Sequence, residues 1–207
     1  MFQWVAQHRE VITALTGLGT LMVWVIYLQV FISSYRRQLR ATLLITRGAG
    51  QGLEARCFLS NMSSESIYVQ SVLVALWAPE KSMAFPVTDI LGLDNEAPAD
   101  PWKRTRQGPL GSGETRDIGS FGNLIEQGLR ALQTDSREGI APMAIQRLTI
   151  EVVGLYGSED LPVGARRRFL VLEENGRPRI QAKGIQTQQI RGRRERKKLE
   201  SRLARDR

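Results

Sequence analysis

Few residues of this chain belong to the types that carry out catalysis or bind metals. The only histidine is His8, near the amino terminus, and the only cysteine is Cys57. Histidine is the usual general base for serine and cysteine nucleophiles and the commonest metal ligand. One residue of each type falls short of the four ligands of a structural zinc site. We therefore predict no catalytic, cofactor-binding or metal-ligating residue.

A glycine-rich segment at 108–115 nearly matches the phosphate-binding loop of nucleotide-binding proteins. That loop requires a lysine before its Ser or Thr, so that the ammonium group reaches the β- and γ-phosphates. Glu114 stands at this position and would repel them. The segment is therefore predicted to be a turn. A loose acidic run nearby lacks the alternating ligands of a calcium loop and is predicted to be solvated; its members are Asp89, Asp94, Glu96 and Asp100.

Two groups of basic residues are candidates for contact with a membrane surface or an acidic partner. The first group is a loop formed by Trp102, Lys103, Arg104 and Arg106. A tryptophan beside cations suits the headgroup layer of a membrane, although the ring would equally pack on the domain with hydrated charges around it. The second group is the carboxyl-terminal segment, with Arg193, Arg194, Arg196, Lys197 and Lys198.

The carboxyl-terminal segment carries most of the net charge of +8. Between Arg191 and Arg207 there are nine basic and three acidic residues. Such a segment binds anionic lipid or, through phosphates alone, nucleic acid; a solvated disordered tail is the alternative. No aromatic residue is interleaved to stack on bases, so nucleic acid is the less favoured ligand.

An apolar stretch from Val11 to Ile32 positions the rest of the chain. It contains no charged residue, and as a helix it would be about 33 Å long, enough to cross a hydrocarbon layer of about 30 Å. A signal peptide has a shorter apolar run and a small-residue cleavage site, so we predict an uncleaved signal anchor.

The flanking charges predict the orientation of this anchor. Only Arg9 precedes the stretch, whereas Arg36, Arg37 and Arg40 follow it. Basic residues are retained on the cytoplasmic side, so we expect a single-pass protein of the cell (inner) membrane, with its amino terminus outside and its carboxyl-terminal domain in the cytoplasm. A lone cysteine fits such a reducing compartment.

Small residues within the stretch suggest a homodimer contact. Thr13 and Gly17 are four residues apart, a spacing that lets two helix backbones approach closely. Such residues are also frequent in helices that face only lipid, and this alternative stays open.

The remaining sequence predicts a mainly β fold. Short apolar or alternating segments are separated by turn residues, with a long strand at Ile67–Trp77 and a tight turn at Asn175-Gly176. One helix follows Ser120, its predicted N-cap, since apolar residues from Phe121 recur at helical spacing. These features favour an immunoglobulin-like β-sandwich with one inserted α-helix. The predicted divisions are an extracytoplasmic tail 1–10, a transmembrane helix 11–32, a basic juxtamembrane segment 33–41, a β-sandwich domain 42–184 and a basic tail 185–207.

Three functions are compatible with this layout. The leading hypothesis is a membrane-anchored, non-enzymatic binding or scaffolding module that docks a protein partner in the cytoplasm. The second is a membrane-tethered binder of anionic lipid or nucleic acid that acts through the basic tail. The third is an enzyme of unknown class, which rests on the fold alone because no residue spacing singles out an acid–base pair.

Overall fold

The computed structural model describes residues 8–38, 40–79, 82–88, 105–135, 145–157 and 159–203. The chain divides into two compact units, one that ends at Arg40 and one that begins at Ala41. The first unit is a helix, and the second is a domain built mainly from strands.

The first unit is the helix α1, which runs from Arg9 to Gln38. Its apolar part is long enough to cross a membrane, and none of it is buried against the protein. Three threonine hydroxyls bond to the carbonyl four residues earlier, which satisfies them within the helix and lowers the cost of placing them in lipid. The predicted limits Val11 and Ile32 lie inside α1, and the helix also takes in most of the segment 33–41 that was predicted to be its flank.

The second unit contains ten strands and two helices among its described residues. The strands are β1 (Leu43–Arg47), β2 (Arg56–Asn61), β3 (Ile67–Trp77), β4 (Ser82–Pro86), β5 (Gly108–Leu110), β6 (Thr115–Ser120), β7 (Arg147–Tyr156), β8 (Val163–Glu174), β9 (Arg177–Ala182) and β10 (Gln188–Ile190). The helices are α2 (Phe121–Asp135) and α3 (Arg193–Leu203).

The strands form two antiparallel sheets. The small sheet has the order β1-β2-β6, and the large sheet has the order β10-β8-β7-β3-β4. Two further strands join the large sheet at its sides, because β5 pairs with the beginning of β3 and β9 with the end of β8. Asn175 and Gly176 connect β8 to β9 with φ angles of 54° and 73°, the positive values that a tight hairpin turn requires, as the sequence predicted.

Both sheets contribute to one apolar core. Cys57 and Leu59 from the small sheet and Ile150, Val152 and Phe169 from the large sheet belong to a single buried cluster. Strand β3 was predicted with the bounds it has, and its β-branched residues fill the centre of the large sheet. A bulge between Val69 and Ser71 changes the face that its side chains occupy, so that buried residues continue on the core side.

Side chains from the β9–β10 connection and from β10 seal the free edge of β1. Gln189 bonds to both the amide and the carbonyl of Leu43, and Thr187 does the same for Ile45. These two side chains take the place of a fourth strand, so the backbone groups of β1 that face outward at these positions are satisfied. The sheet therefore ends at β1 without an open ladder of hydrogen bonds.

Helix α2 crosses from β6 toward the edge of the large sheet. Its amino end is capped by the hydroxyl of Ser120, which accepts a hydrogen bond from the amide of Asn123 at 3.2 Å, as predicted. Gly128 allows a close approach, because a Cβ at this position would lie 1.9 Å from the ring of Phe85 on β4. The phenyl ring occupies the space that any larger residue would need.

Part of the segment 185–207, predicted as a basic tail, is placed on the domain. Residues 188–190 form β10 on the large sheet, and Arg193–Leu203 form the helix α3. Leu199 of α3 is buried with Val153 and Ile190 in a second apolar cluster on the outer face of the large sheet. The apolar residues Ile190 and Leu199, too sparse in sequence to indicate an amphipathic helix, are the ones that hold this segment to the domain.

Candidate functional site

The outer face of the large sheet, which points away from the core, has a concave region of about 390 Å³. We call it the outer depression. Its described lining residues are Leu73, Ala75, Trp77, Ala84, Arg147, Thr149, Glu151, Arg166 and Arg168.

Strand register explains why this part of the face is hollow. Ala84, Ala75, Thr149 and Arg168 lie side by side across β4, β3, β7 and β8. The first three side chains are small, so they form a trough that runs from the edge strand β4 to the guanidinium of Arg168. Trp77 and Arg147 form the neighbouring row, which borders the trough on one side.

The other border of the trough is a row with a partly buried ion pair. Leu73, Glu151 and Arg166 are partners in register across β3, β7 and β8. The Glu151 carboxylate accepts hydrogen bonds from Nε of Arg166 at 2.6 Å and from its terminal nitrogen at 2.5 Å. This pairing of two Arg166 nitrogens with one carboxylate oxygen fixes one wall of the depression and balances one of its charges.

The outer depression carries an excess of positive charge. Three arginines face one glutamate, and Arg166 is engaged with that glutamate. Arg147 and Arg168 are the source of the excess charge. Arg147 is half-buried in the wall, and Arg168 is exposed at the end of the trough. Neither guanidinium has an ion-pair partner among the described residues, and their positive potential attracts oxyanions.

Two buried polar atoms in the outer depression have no hydrogen-bond partner among the described residues. They are the hydroxyl of Thr149 and Nε of Arg147. Thr149 is only 4% exposed, so its hydroxyl is largely withheld from bulk water. An unpaired buried hydroxyl or N–H costs about 1–3 kcal/mol, and native proteins rarely leave two such groups side by side. Their position on alternate residues of β7 directs both toward the same face.

Helix α3 packs on the sheet beside the outer depression. Leu199 packs with Val153, Ile190 and Leu73, and Leu73 also lines the depression. The helix approaches closely because β8 has Gly164 here, where a Cβ would lie 2.7 Å from a methyl group of Leu199. The same packing that holds α3 to the sheet therefore places the helix next to the site.

One predicted contact residue, Arg106, has a structural role instead. Its side chain was expected in a basic loop on the surface, but it is only 3% exposed. Nε donates to the carbonyl of Ile118 at 2.7 Å, and a terminal nitrogen donates to the carbonyl of Val87. A guanidinium that is buried and bonded to backbone carbonyls in this way is not presented to a membrane or a partner. The other members of that group, Trp102, Lys103 and Arg104, lie outside the described residues.

The basic residues of α3 divide into two sets. Arg193, Arg194, Lys197 and Lys198 are exposed. Arg196 instead faces the domain, where it pairs with Glu159 at 2.8 Å and donates to the carbonyls of Leu161 and Pro162. Arg196 and Leu199 therefore attach the helix, and the four exposed cations are presented on an ordered surface.

The remaining sequence candidates are placed as follows. Arg36 and Arg37 lie in the last turn of α1, and Arg40 is exposed just after it. Glu114 accepts a hydrogen bond from the amide of Gly111 at 2.6 Å, which closes the glycine-rich segment on itself as the predicted turn. The described residues contain no group of three or more His, Cys, Asp and Glu side chains arranged to hold a metal ion.

A second cluster of arginines lies where β1 meets β8 and β9. Arg47 donates to the carbonyl of Ile180 at 2.8 Å, and Arg167 donates to the carbonyl of Ile45 while its guanidinium lies over the ring of Phe169. Burial lowers the pKa of Arg167, and burial raises the pKa of the nearby Cys57 thiol despite the opposing influence of the Arg167 charge. Cys57 is therefore a neutral, buried thiol rather than a reactive one.

Sequence reasoning did not identify the outer depression. The alternation of Arg147, Thr149 and Glu151 with apolar residues predicted the outward face of β7, but a polar outward face is ordinarily solvated. The informative signal is the placement of small residues, Ala75 and Ala84, beside Thr149, and this juxtaposition depends on the strand register. Register between distant strands is not visible in a single sequence.

Comparison with protein-family models, curated proteins and solved structures gave no match for this chain.

Proposed function

We propose that this chain is a membrane-anchored, non-enzymatic binding module. In this proposal α1 spans the cell (inner) membrane once, with the amino terminus outside, and the β domain docks a protein partner in the cytoplasm. The length and apolar surface of α1 support the anchor, and Arg36, Arg37 and Arg40 after the apolar stretch support the orientation.

The outer depression is the observation that carries the binding role. It is an open hollow on a rigid sheet, and its side chains are fixed by strand register and by the Glu151–Arg166 pair. Its unpaired polar groups favour a bound partner over an empty surface. Sites of this kind, concave with a few convergent polar groups, are the usual form of a binding site.

The same proposal includes the immunoglobulin-like classification of the domain. Two antiparallel sheets around one apolar core support a sandwich, and α2, between β6 and β7, is then its inserted helix. We also propose that two copies of α1 form a homodimer through Thr13 and Gly17.

Site-directed photocrosslinking in intact cells tests the binding role. A photoreactive residue replaces Trp77 at the border of the outer depression, and a matched one replaces Ile185, which is 93% exposed elsewhere on the domain. We expect one partner to be captured at position 77 and not at position 185, and to bind the purified, detergent-solubilised protein again. Equal capture at both positions would contradict docking at this face.

A topology reporter fused after Arg207 tests the anchor separately. We expect cytoplasmic activity of the reporter and full recovery of the chain in the membrane fraction. An external reporter or a freely soluble chain would refute the proposed orientation or anchor.

The exposed face of α3 favours a second candidate function, a contact with anionic lipid or nucleic acid. Its members are Arg193, Arg194, Lys197 and Lys198. Attachment of the helix through Arg196 and Leu199 orders these charges at a surface, where each contributes up to about 1 kcal/mol near an anionic membrane. Replacing all four with glutamine should weaken salt-dependent binding to anionic vesicles, and unchanged binding would exclude this function.

A further inference from the structure

We infer that the outer depression binds an oxyanion, a carboxylate or a phosphate carried on a short apolar group. The inference deepens the proposed function, because it rests on the domain being a binding module and names the chemistry that its site recognises.

The polar end of the trough supplies the anion contacts. Thr149 and Arg168 are adjacent in register, and Arg147 lies two residues from Thr149 on the same face of β7. The Thr149 hydroxyl and Nε of Arg147 have donor capacity that no described protein group uses. Carboxylates and phosphates accept several hydrogen bonds at once, so a single oxyanion is able to satisfy both groups and the charge of Arg168.

The apolar end of the trough supplies the other half of the recognition. Ala75 and Ala84 form its floor toward the edge strand β4, and Trp77 stands at the border beside them. An apolar or aromatic group of modest size fits this shallow floor and buries surface against the ring of Trp77. The arrangement therefore matches a ligand with an acidic head and a short apolar body.

The Glu151–Arg166 pair keeps the anion at one end of the trough. Glu151 is only 6% exposed and already accepts both hydrogen bonds from Arg166. Its negative charge disfavours an oxyanion on that wall and leaves Arg147 and Arg168 as the attractive groups. Arg168, which attracts the anion, and the apolar floor of Ala75 and Ala84 thus lie on opposite sides of Thr149.

Calorimetric titration of the full chain in detergent micelles tests this inference. The probes are phenylacetate, phenyl phosphate and acetyl-Gly-Phe with a free carboxyl terminus, and the matched neutral probes are phenylacetamide and the amidated peptide. We expect each anion to bind at least about tenfold more tightly than its neutral counterpart, since a buried charge contact contributes about a factor of ten or more. The anion that binds most tightly shows whether the site recognises a carboxylate or a phosphate.

Three variants locate the binding. Thr149→Val and Arg168→Gln should each weaken the favoured anion about tenfold, because each removes one contact. The control Arg177→Gln lies on the exposed β8–β9 hairpin and should leave the affinity unchanged. Partition of the probes into micelles is the same for all variants, so the difference in affinity between variants reports binding to the protein alone.

Thr149→Val has a second readout that separates binding from folding. Valine has nearly the shape of threonine without the hydroxyl, so the variant should raise the Tm of the free chain while it weakens binding of the anion.

Equal binding of anions and neutral probes, or anion binding unchanged in both Thr149→Val and Arg168→Gln, overturns the inference. Partner capture at position 77 and membrane localisation are measured independently, so the proposed function stands or fails on its own result.

Discussion

Strand β7 presents two faces of opposite chemistry that are almost equally buried. Toward the core it places Leu148, Ile150 and Val152, and toward the outer depression it places Arg147, Thr149 and Glu151. On the core face the opposite sheet covers every side chain. On the outer face Thr149 is buried although it lines the outer depression.

This comparison separates two meanings of burial. Residues of the core face are buried because they stabilise the fold, and their apolar chemistry agrees with their position. Thr149 is buried although its hydroxyl gains no partner from the fold. Such a disagreement between position and chemistry costs stability, and proteins tolerate it mainly at functional sites.

The largest expected effect lies on the core face. Ile150→Ala should lower the free energy of unfolding by about 4 kcal/mol, because Ile150 is fully buried and its truncation leaves a cavity. Urea denaturation followed by circular dichroism measures this loss. The adjacent variant Thr149→Val is the matched control, and a comparable loss there would erase the proposed distinction between the two faces.

The next effect tests the ion pair on the outer face. Glu151→Ala should cost about 3 kcal/mol, because it leaves the partly buried Arg166 without its carboxylate. The control is Glu126→Ala, since the Glu126–Arg130 pair is 58% and 61% exposed and should contribute less than about 0.5 kcal/mol. Equal denaturation midpoints for the two variants would show that Glu151 is not buried as described.

A smaller loss of stability is expected in α3, the helix that packs beside the outer depression. Leu199→Ala should weaken the attachment of α3 by about 2 kcal/mol, because Leu199 is buried against Gly164 and Ile190. Hydrogen exchange should then accelerate in α3 and β10 but remain slow in β7. The control Leu172→Ala, at an exposed position of β8, should change neither segment.

The smallest effect comes from Cys57 and depends on pH. Burial raises the pKa of its thiol in the folded state, so the folded chain holds a proton that the unfolded chain releases above about pH 8.5. This stabilisation is complete below the unfolded pKa and is lost as pH rises above it, by up to about 1.4 kcal/mol per pH unit. Cys57→Ala should remove this contribution to the pH dependence of the free energy of unfolding, which denaturation at several pH values measures. Rapid labelling of the thiol in the native chain would contradict its burial.

The predicted elements that depend on local pattern agree with the structure. The strand at Ile67–Trp77, the N-cap at Ser120 and the turn at Asn175 were each specified by neighbouring residues. What depends on distant residues was missed. The burial of Arg106 requires carbonyls from Val87 and Ile118, and neither partner is indicated by the residues around Arg106.

The carboxyl-terminal segment shows the same limit. A high density of Arg and Lys predicted a basic tail outside the domain, with anionic lipid, nucleic acid or solvent as its surroundings. The structure orders this segment with one apolar residue, Leu199, and one cation, Arg196, which meets Glu159 and two backbone carbonyls. Gly164 makes the contact feasible, yet nothing near it in sequence relates it to residue 199.

The side chains of Thr187 and Gln189 have a consequence beyond the closure of the small sheet. A strand with open amides and carbonyls recruits a strand from another copy, which is the first step toward polymerisation. Capping β1 with an amide and a hydroxyl occupies the positions that a strand from another copy would need, so this edge of the small sheet is closed to strand addition.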